Sequence, residues 1–138
     1  MIKELTVSAD SSQLNRLTEF ALNAALEAGF DQKQSYRIEL AVDEACTNVI
    51  EHAYEGKRGG QITMKVAIAP QKWLKITLED QGKAFDPKSI EHYYPENAFN
   101  RTKIGGLGVY IMQTIMDEVR FEFKIPHIGN RLTMIKKV

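Results

Sequence analysis

Apolar and polar positions alternate most regularly in the middle and at the end of the chain. Ile62, Met64, Val66 and Ile68 are spaced by Thr63, Lys65 and Ala67, the two-residue period of a half-buried strand. After a Pro70-Gln71 turn, Leu74, Ile76 and Leu78 repeat it, and Val119, Phe121, Phe123 and Ile125 do so again. A turn is expected around Gly129-Asn130, followed by a last strand from Arg131 to Lys136, and Ile2 to Val7 read as a short first strand. Elsewhere the rhythm is helical. Leu14, Leu17, Ala21, Ala25 and Ala28 form one stripe, with Asp10 or Ser11 as the cap and Gly29 as the stop. Ile38, Ala41, Val42, Ala45 and Val49 form another, opened by Asp31 with Gln34 three residues on and expected to end near Ala53. A third helix is expected from Val109 to Asp117, led in by Gly105-Gly106-Leu107-Gly108.

Before those glycines runs a polar, proline-bearing stretch, 87–104, with little periodicity, which reads as a lid, a binding loop or disorder. The element order is therefore β-α-α-β-β-lid-α-β-β. It predicts an α+β fold: a two-layer sandwich in which a mixed, mostly antiparallel sheet is covered on one face by helices. The 138 residues fit a single domain, 1–138.

Composition narrows the function classes. Eighteen basic residues offset eighteen acidic ones, so nothing global points to nucleic acid or an anionic membrane, and neither is expected as a partner. No apolar run approaches the roughly 20 residues that span a bilayer. Cys46 is the single cysteine, which excludes an internal disulfide and suits a reducing compartment, so the cytoplasm is expected.

Three features carry candidate chemistry. Glu44 and Asn48, four residues apart, fall together on the flank of the second apolar stripe. A carboxamide oxygen can ligate magnesium and a carboxylate can act as a base, though an amphipathic helix has such a polar flank without any chemistry. Asp80-Gln81-Gly82 ends an apolar strand. It suits a turn, and equally an aspartate accepting from an adenine amino group with a glycine giving the flat ring room. Gly105, Gly106 and Gly108 around Leu107 suit either a hinge or backbone N–H groups gathered on a phosphate at a helix start. The lysine-serine/threonine ending of a P-loop is missing. Taken in order, the three features specify more than any one alone.

That order resembles the anti-sigma factor serine/threonine kinases, a bacterial branch of the ATPase superfamily shared by gyrase, histidine kinases and mismatch-repair proteins. The stretch 39–54 looks like the family's N-box, through Glu44-Ala45-Cys46-Thr47-Asn48 and on to His52 and Tyr54. Residues 79–87 look like its first glycine box and 105–119 like its second, and Asn130-Arg131-Leu132-Thr133 matches its closing hairpin.

The resemblance implies a histidine-kinase-like ATPase fold using ATP and magnesium. Glu44 would be the general base and Asn48 the magnesium ligand, with Asp80 and Gly82 on the adenine. Gly105, Gly106, Leu107 and Gly108 would cradle the phosphates. It also implies an anti-sigma factor antagonist of the STAS type as substrate, a sigma factor as a further partner, and a homodimer. Residues 88–104 would close over the nucleotide; Arg101 and Lys103 there could contact phosphate, though plain exposed charge is the reading favoured for both. The main alternative is a non-catalytic nucleotide-binding module that regulates transcription through protein–protein binding. A detached histidine-kinase catalytic domain and a plain ATPase are the others.

Overall fold

The computed structural model describes residues 1–57, 59–84 and 106–138. Among these residues there are five strands, β1 (Ile2–Ser8), β2 (Gln61–Ala69), β3 (Trp73–Asp80), β4 (Glu118–Ile125) and β5 (Gly129–Lys137). They form one sheet in the order β1-β2-β3-β5-β4. Among the described residues three α-helices, α1 (Leu14–Ala28), α2 (Gln32–Asn48) and α3 (Gly106–Ile115), complete the α+β fold.

A mixed, mostly antiparallel sheet was expected, and all four described ladders are antiparallel. The connections explain this. Two successive helices between β1 and β2 return the chain to the same end of the sheet, so β2 must run back along β1. Strands β3 and β4 do run in the same direction, but β5 lies between them, and each pairs with it antiparallel.

The helices start and stop on local chemistry. The Asp10 carboxylate accepts from Ser12 N at 3.0 Å and opens a single 3-10 turn that leads into α1. The helix ends at Gly29, whose φ of 108° is the left-handed conformation that glycine adopts without a Cβ penalty. Asp31 caps α2 by accepting from Gln34 N at 2.7 Å. After Asn48 the helix widens into one π-turn, Val49–Ala53, before the chain leaves for β2.

The third helix is placed differently from the expectation, starting at Gly106 and stopping at Ile115, two residues before Asp117. Asp117 is drawn away because its N–H donates to Ile135 O at 2.9 Å, which pins it to the sheet. The last turn also differs: Gly129 and Asn130 begin β5, and the turn itself lies at residues 126–128.

One face of the sheet meets the helices. Ile62, Met64, Val66, Leu74, Ile76, Leu78 and Met134 from the strands are essentially sealed against Leu17, Ala21, Ile38, Ala41 and Val42. At about 25 cal/mol per Å² of apolar area buried, this interface supplies the main favourable term for folding. The opposite face is polar, with Glu79 joined to Lys65 at 2.7 Å and to Arg131 at 3.0 Å. Cys46 lies fully inside the core, where burial pushes its thiol far above the ordinary range and leaves it unreactive.

Candidate nucleotide site

The parity that buries Leu74, Ile76 and Leu78 continues to Asp80, so the carboxylate at the end of β3 points to the helix side of the sheet. It lines a cavity with Asn48 and Val49 of the α2 region, Met112 of α3, and Phe121 and Phe123 of β4. The two phenylalanine rings stack with centroids 6.2 Å apart and planes within 8°. A one-residue bulge in β4 between Glu122 and Ile125 takes in Phe123 itself, with Lys124 at a φ of 54°.

Asp80 is only 8% exposed, and its Oδ1 accepts from Gly82 N and from Asn130 Nδ2, each at 2.9 Å. Burial raises its pKa above the ordinary aspartate value, while the two hydrogen bonds favour the ionised form and limit the rise.

Gly82 is required where it stands. A Cβ there would lie 2.6 Å from Ala53 O and 2.7 Å from Ala53 C, inside the backbone of the π-turn. The neighbouring Lys83 N donates to that same carbonyl at 2.6 Å. The π-turn therefore does more than end a helix: it turns Ala53 O towards the segment that follows β3.

Glu44 and Asn48, one turn apart on α2, are both half-buried and stand against the first turn of α3. A Cβ at Gly108 would lie 3.1 Å from Glu44 Oε2 and 3.2 Å from Asn48 Nδ2. The glycine-bearing segment thus meets the Glu/Asn pair directly. Gly106, Leu107 and Gly108 form the first helical turn rather than a loop before it, so they belong to the turn whose N–H groups lack intrahelical partners. Gly105, the stretch 88–104, Arg101 and Lys103 lie outside the described residues. The carboxylate–amide pair, the strand-end aspartate and the helix start, far apart in the chain, converge on one side of the sheet.

A profile of the histidine kinase-like ATPase domain matches residues 7–136. The chain belongs to that family. The serine-protein kinase RsbW of Bacillus licheniformis is 35% identical over 102 residues, covering 71% of this chain and 63% of the relative. That of Bacillus subtilis is 28% identical over 137 residues, covering 96% and 83%. That of Listeria monocytogenes serovar 1/2a is 33% identical over 103 residues, covering 72% and 65%. The match thus spans just under two thirds of the first and third of these relatives. Among solved structures, the mycobacterial sensor histidine kinase MprB superposes with a TM-score of 0.58 at 14% identity, covering 98% of this chain and 97% of that one. A histidine kinase domain from Erythrobacter litoralis gives 0.51 at 17%, covering 91% and 59%. Both show the fold.

Two residues shape this candidate site without having been assigned a role from the sequence. The Tyr54 hydroxyl donates to Gln61 O at 2.7 Å and accepts from Gln81 N at 2.8 Å, tying the end of the π-turn to the start of β2 and to the segment just after β3. Asn130 sits opposite Asp80 in the β3–β5 register and donates also to Gly82 O at 3.0 Å. Strand parity was the available signal, since Asn130 shares a face with Leu132 and Met134; reading Gly129-Asn130 as a turn hid it. Among the described residues no helix is long and apolar enough to cross a membrane.

Proposed function

We propose that this protein is an ATP- and magnesium-dependent serine/threonine kinase whose substrate is an anti-sigma factor antagonist of the STAS type. The observation that carries the proposal is the approach of Gly108 to Glu44 and Asn48, beside a cavity that Asn48 shares with Asp80. A protein that only held a nucleotide would need Asp80 and the helix start; it would have no use for a carboxylate against the phosphate-side turn. The relatives named as serine-protein kinases support the same activity.

In this reading Asp80 accepts from the adenine amino group, and the closeness of Gly82 to Ala53 keeps that end of the pocket flat. The first turn of α3 presents backbone N–H groups to phosphate, where the helix dipole favours negative charge. Glu44 takes the proton of the incoming serine or threonine hydroxyl as its oxygen bonds to the γ-phosphorus and the bond to the bridging β-γ oxygen breaks, releasing ADP.

Magnesium fits the donors present. Asn48 offers a hard amide oxygen beside a carboxylate, and no cluster of three or more His, Cys, Asp or Glu among the described residues is placed to hold a metal alone. Asn48 would hold the ion together with phosphate oxygens and water, the usual magnesium arrangement, and the bound ion would neutralise charge on the phosphates. The resemblance to anti-sigma factor kinases adds a sigma factor as a second partner and a homodimer as the assembly, and the single cysteine, Cys46, suits the cytoplasm as the location.

The test is transfer of labelled γ-phosphate to a purified STAS-domain protein, comparing the intact chain with Glu44→Gln. Phosphorylation that falls at least about 100-fold in the variant, while ATP still binds, supports the kinase, since a positioned base contributes about 10²–10⁴-fold. ATP binding with no transfer to any antagonist would instead favour a nucleotide-holding regulator that acts by protein–protein binding.

A further inference from the structure

Building on the kinase reading, we infer that the outward strip of α2 is the surface that recognises the protein substrate: Tyr36 and Leu40 receive an apolar side chain on one side of the acceptor hydroxyl, and Glu51 a basic side chain on the other. Tyr36, Leu40, Glu44, Thr47 and Glu51 recur every three or four positions, so they follow one line along the helix and into the π-turn. At 1.5 Å per residue, Leu40 stands about 6 Å from Glu44 along the axis and Tyr36 about 12 Å, while Glu51 lies about 10 Å away in the opposite direction.

The helix does not need the apolar pair for its own packing. Its buried stripe is Ile38, Ala41, Val42, Ala45 and Cys46, and all of these are essentially sealed. Tyr36 and Leu40 stand clear of that stripe, one turn apart, 51% and 45% exposed. Keeping two large apolar side chains in water is unfavourable, and a covering partner relieves it. Gln32 Nε2 donates to the Tyr36 hydroxyl at 3.0 Å, which steadies the ring against the first turn of the helix.

Past Glu44 the strip turns acidic. Glu51 is exposed and has no hydrogen bond or ion pair among the described residues. It lines a cleft of ≈ 690 Å³ with Asp10 and the hydroxyl-bearing Ser8, Ser11 and Ser12. Lys57 is on the same wall but is paired with Glu55 at 3.5 Å, so the Asp10 and Glu51 carboxylates set the sign of the field there. Ser8 Oγ and Ser12 N donate to Asp10 at 2.8 and 3.0 Å and fix that carboxylate in the wall. A lysine or arginine side chain suits carboxylates and hydroxyls together, because its polar groups only donate.

The transfer itself decides the occupant. The acceptor hydroxyl has to come within hydrogen-bond reach of Glu44, so the surface that carries it covers the neighbours of Glu44 on the same line. A second copy of this chain seated there would shut the substrate out. The partner is therefore a protein whose acceptor serine or threonine has an apolar side chain about 6–12 Å to one side and a basic one about 10 Å to the other.

The experiment measures transfer of labelled γ-phosphate to a purified STAS-domain protein, over a range of its concentration, by the intact chain, the double variant Tyr36→Gln/Leu40→Gln, and Glu51→Gln. Glutamine is a good helix former and all three sites are exposed, so the variants are expected to fold and to bind ATP as the intact chain does, which calorimetry checks. The double variant should raise the KM for the protein at least about 10-fold with kcat nearly unchanged, the pattern of a lost apolar anchor that serves ground state and transition state alike. Glu51→Gln should raise it about 3-fold at about 50 mM salt and match the intact chain at about 500 mM, where the charge is screened. A KM unmoved in either variant overturns the part assigned to it and leaves the kinase reading standing. A fall in kcat or in ATP affinity at constant KM overturns the inference as well, and self-association lost in the double variant with KM unmoved assigns the strip to a second copy. Failure of the intact chain to phosphorylate the STAS-domain protein overturns both readings.

Discussion

Gly108 packs against Asn48 so closely that an added Cβ would stand 3.2 Å from Asn48 Nδ2 and 3.1 Å from Glu44 Oε2. Such contacts are tight yet involve side-chain ends that can shift by a few tenths of an ångström. Gly108→Ala also gains helix propensity, up to about 1 kcal/mol in a helix interior. The variant should therefore melt close to the intact protein, while phosphoryl transfer falls at least about 10-fold, as expected when reacting groups are displaced slightly. Thermal melts and kinase rates on one preparation check this. Undiminished transfer would place the reacting atoms away from Glu44 and Asn48.

Tyr54→Phe removes both hydrogen bonds through which the hydroxyl joins Gln61 O and Gln81 N. Urea titration should show a loss of about 1–2 kcal/mol, the net worth of one or two such bonds. Nucleotide affinity should fall a few-fold as well, because Gln81 connects Asp80 to Gly82. If affinity is untouched, Tyr54 serves the fold alone.

Asp80→Asn separates stability from function. Because burial raises the Asp80 pKa on folding, the native protein holds this proton more readily than the unfolded chain does. Its contribution to stability therefore falls as pH rises from the unfolded value, about 3.9, through the higher native value. The variant lacks that loss, so its stability relative to the intact protein should rise across this interval and then level off. At neutral pH it should remain folded and bind ATP much more weakly. Denaturant melts from pH 3 to 7 and calorimetry test both parts.

Glu79 shows the opposite sign on the outer face of the sheet. Desolvation raises its pKa, but hydrogen bonds and charge from Lys65 and Arg131 outweigh this and hold it below the ordinary glutamate value. The unfolded chain then binds the proton more readily, so the group stabilises the fold above about pH 4.3, the unperturbed value, and that contribution disappears as pH falls through the native value. Glu79→Gln should be less stable at pH 7, with the gap closing below about pH 4. A gap that stays constant into acid would mean that the Lys65–Glu79–Arg131 network contributes no charge-dependent stability.

Much of this molecule is written in local pattern. The alternation at Ile62–Ile68 and Leu74–Leu78, the Asp31 cap and the Gly29 stop each depend on neighbours within a few residues, and each appears where the residues predict it. The three candidate motifs were legible for the same reason. The start of α3 was missed because glycines discourage a helix locally, yet contact with Glu44 and Asn48 is close enough to favour them there. The Gly129-Asn130 turn was misplaced because those residue types favour turns in isolation, whereas pairing with Asp80 draws them into β5.

By itself, then, the sequence determined which segments are helix or strand, which face of each is apolar, and which polar residues break the pattern. Those properties follow from side-chain periodicity and from hydrogen bonds between near neighbours. Only the tertiary structure decided that the sheet is antiparallel at every described ladder, that Gly108 meets the Glu44–Asn48 pair, and that Asn130 holds Asp80. Asp80 and Asn130 are fifty residues apart in the chain; strand register alone makes them neighbours, and register is set by how the whole sheet buries one face.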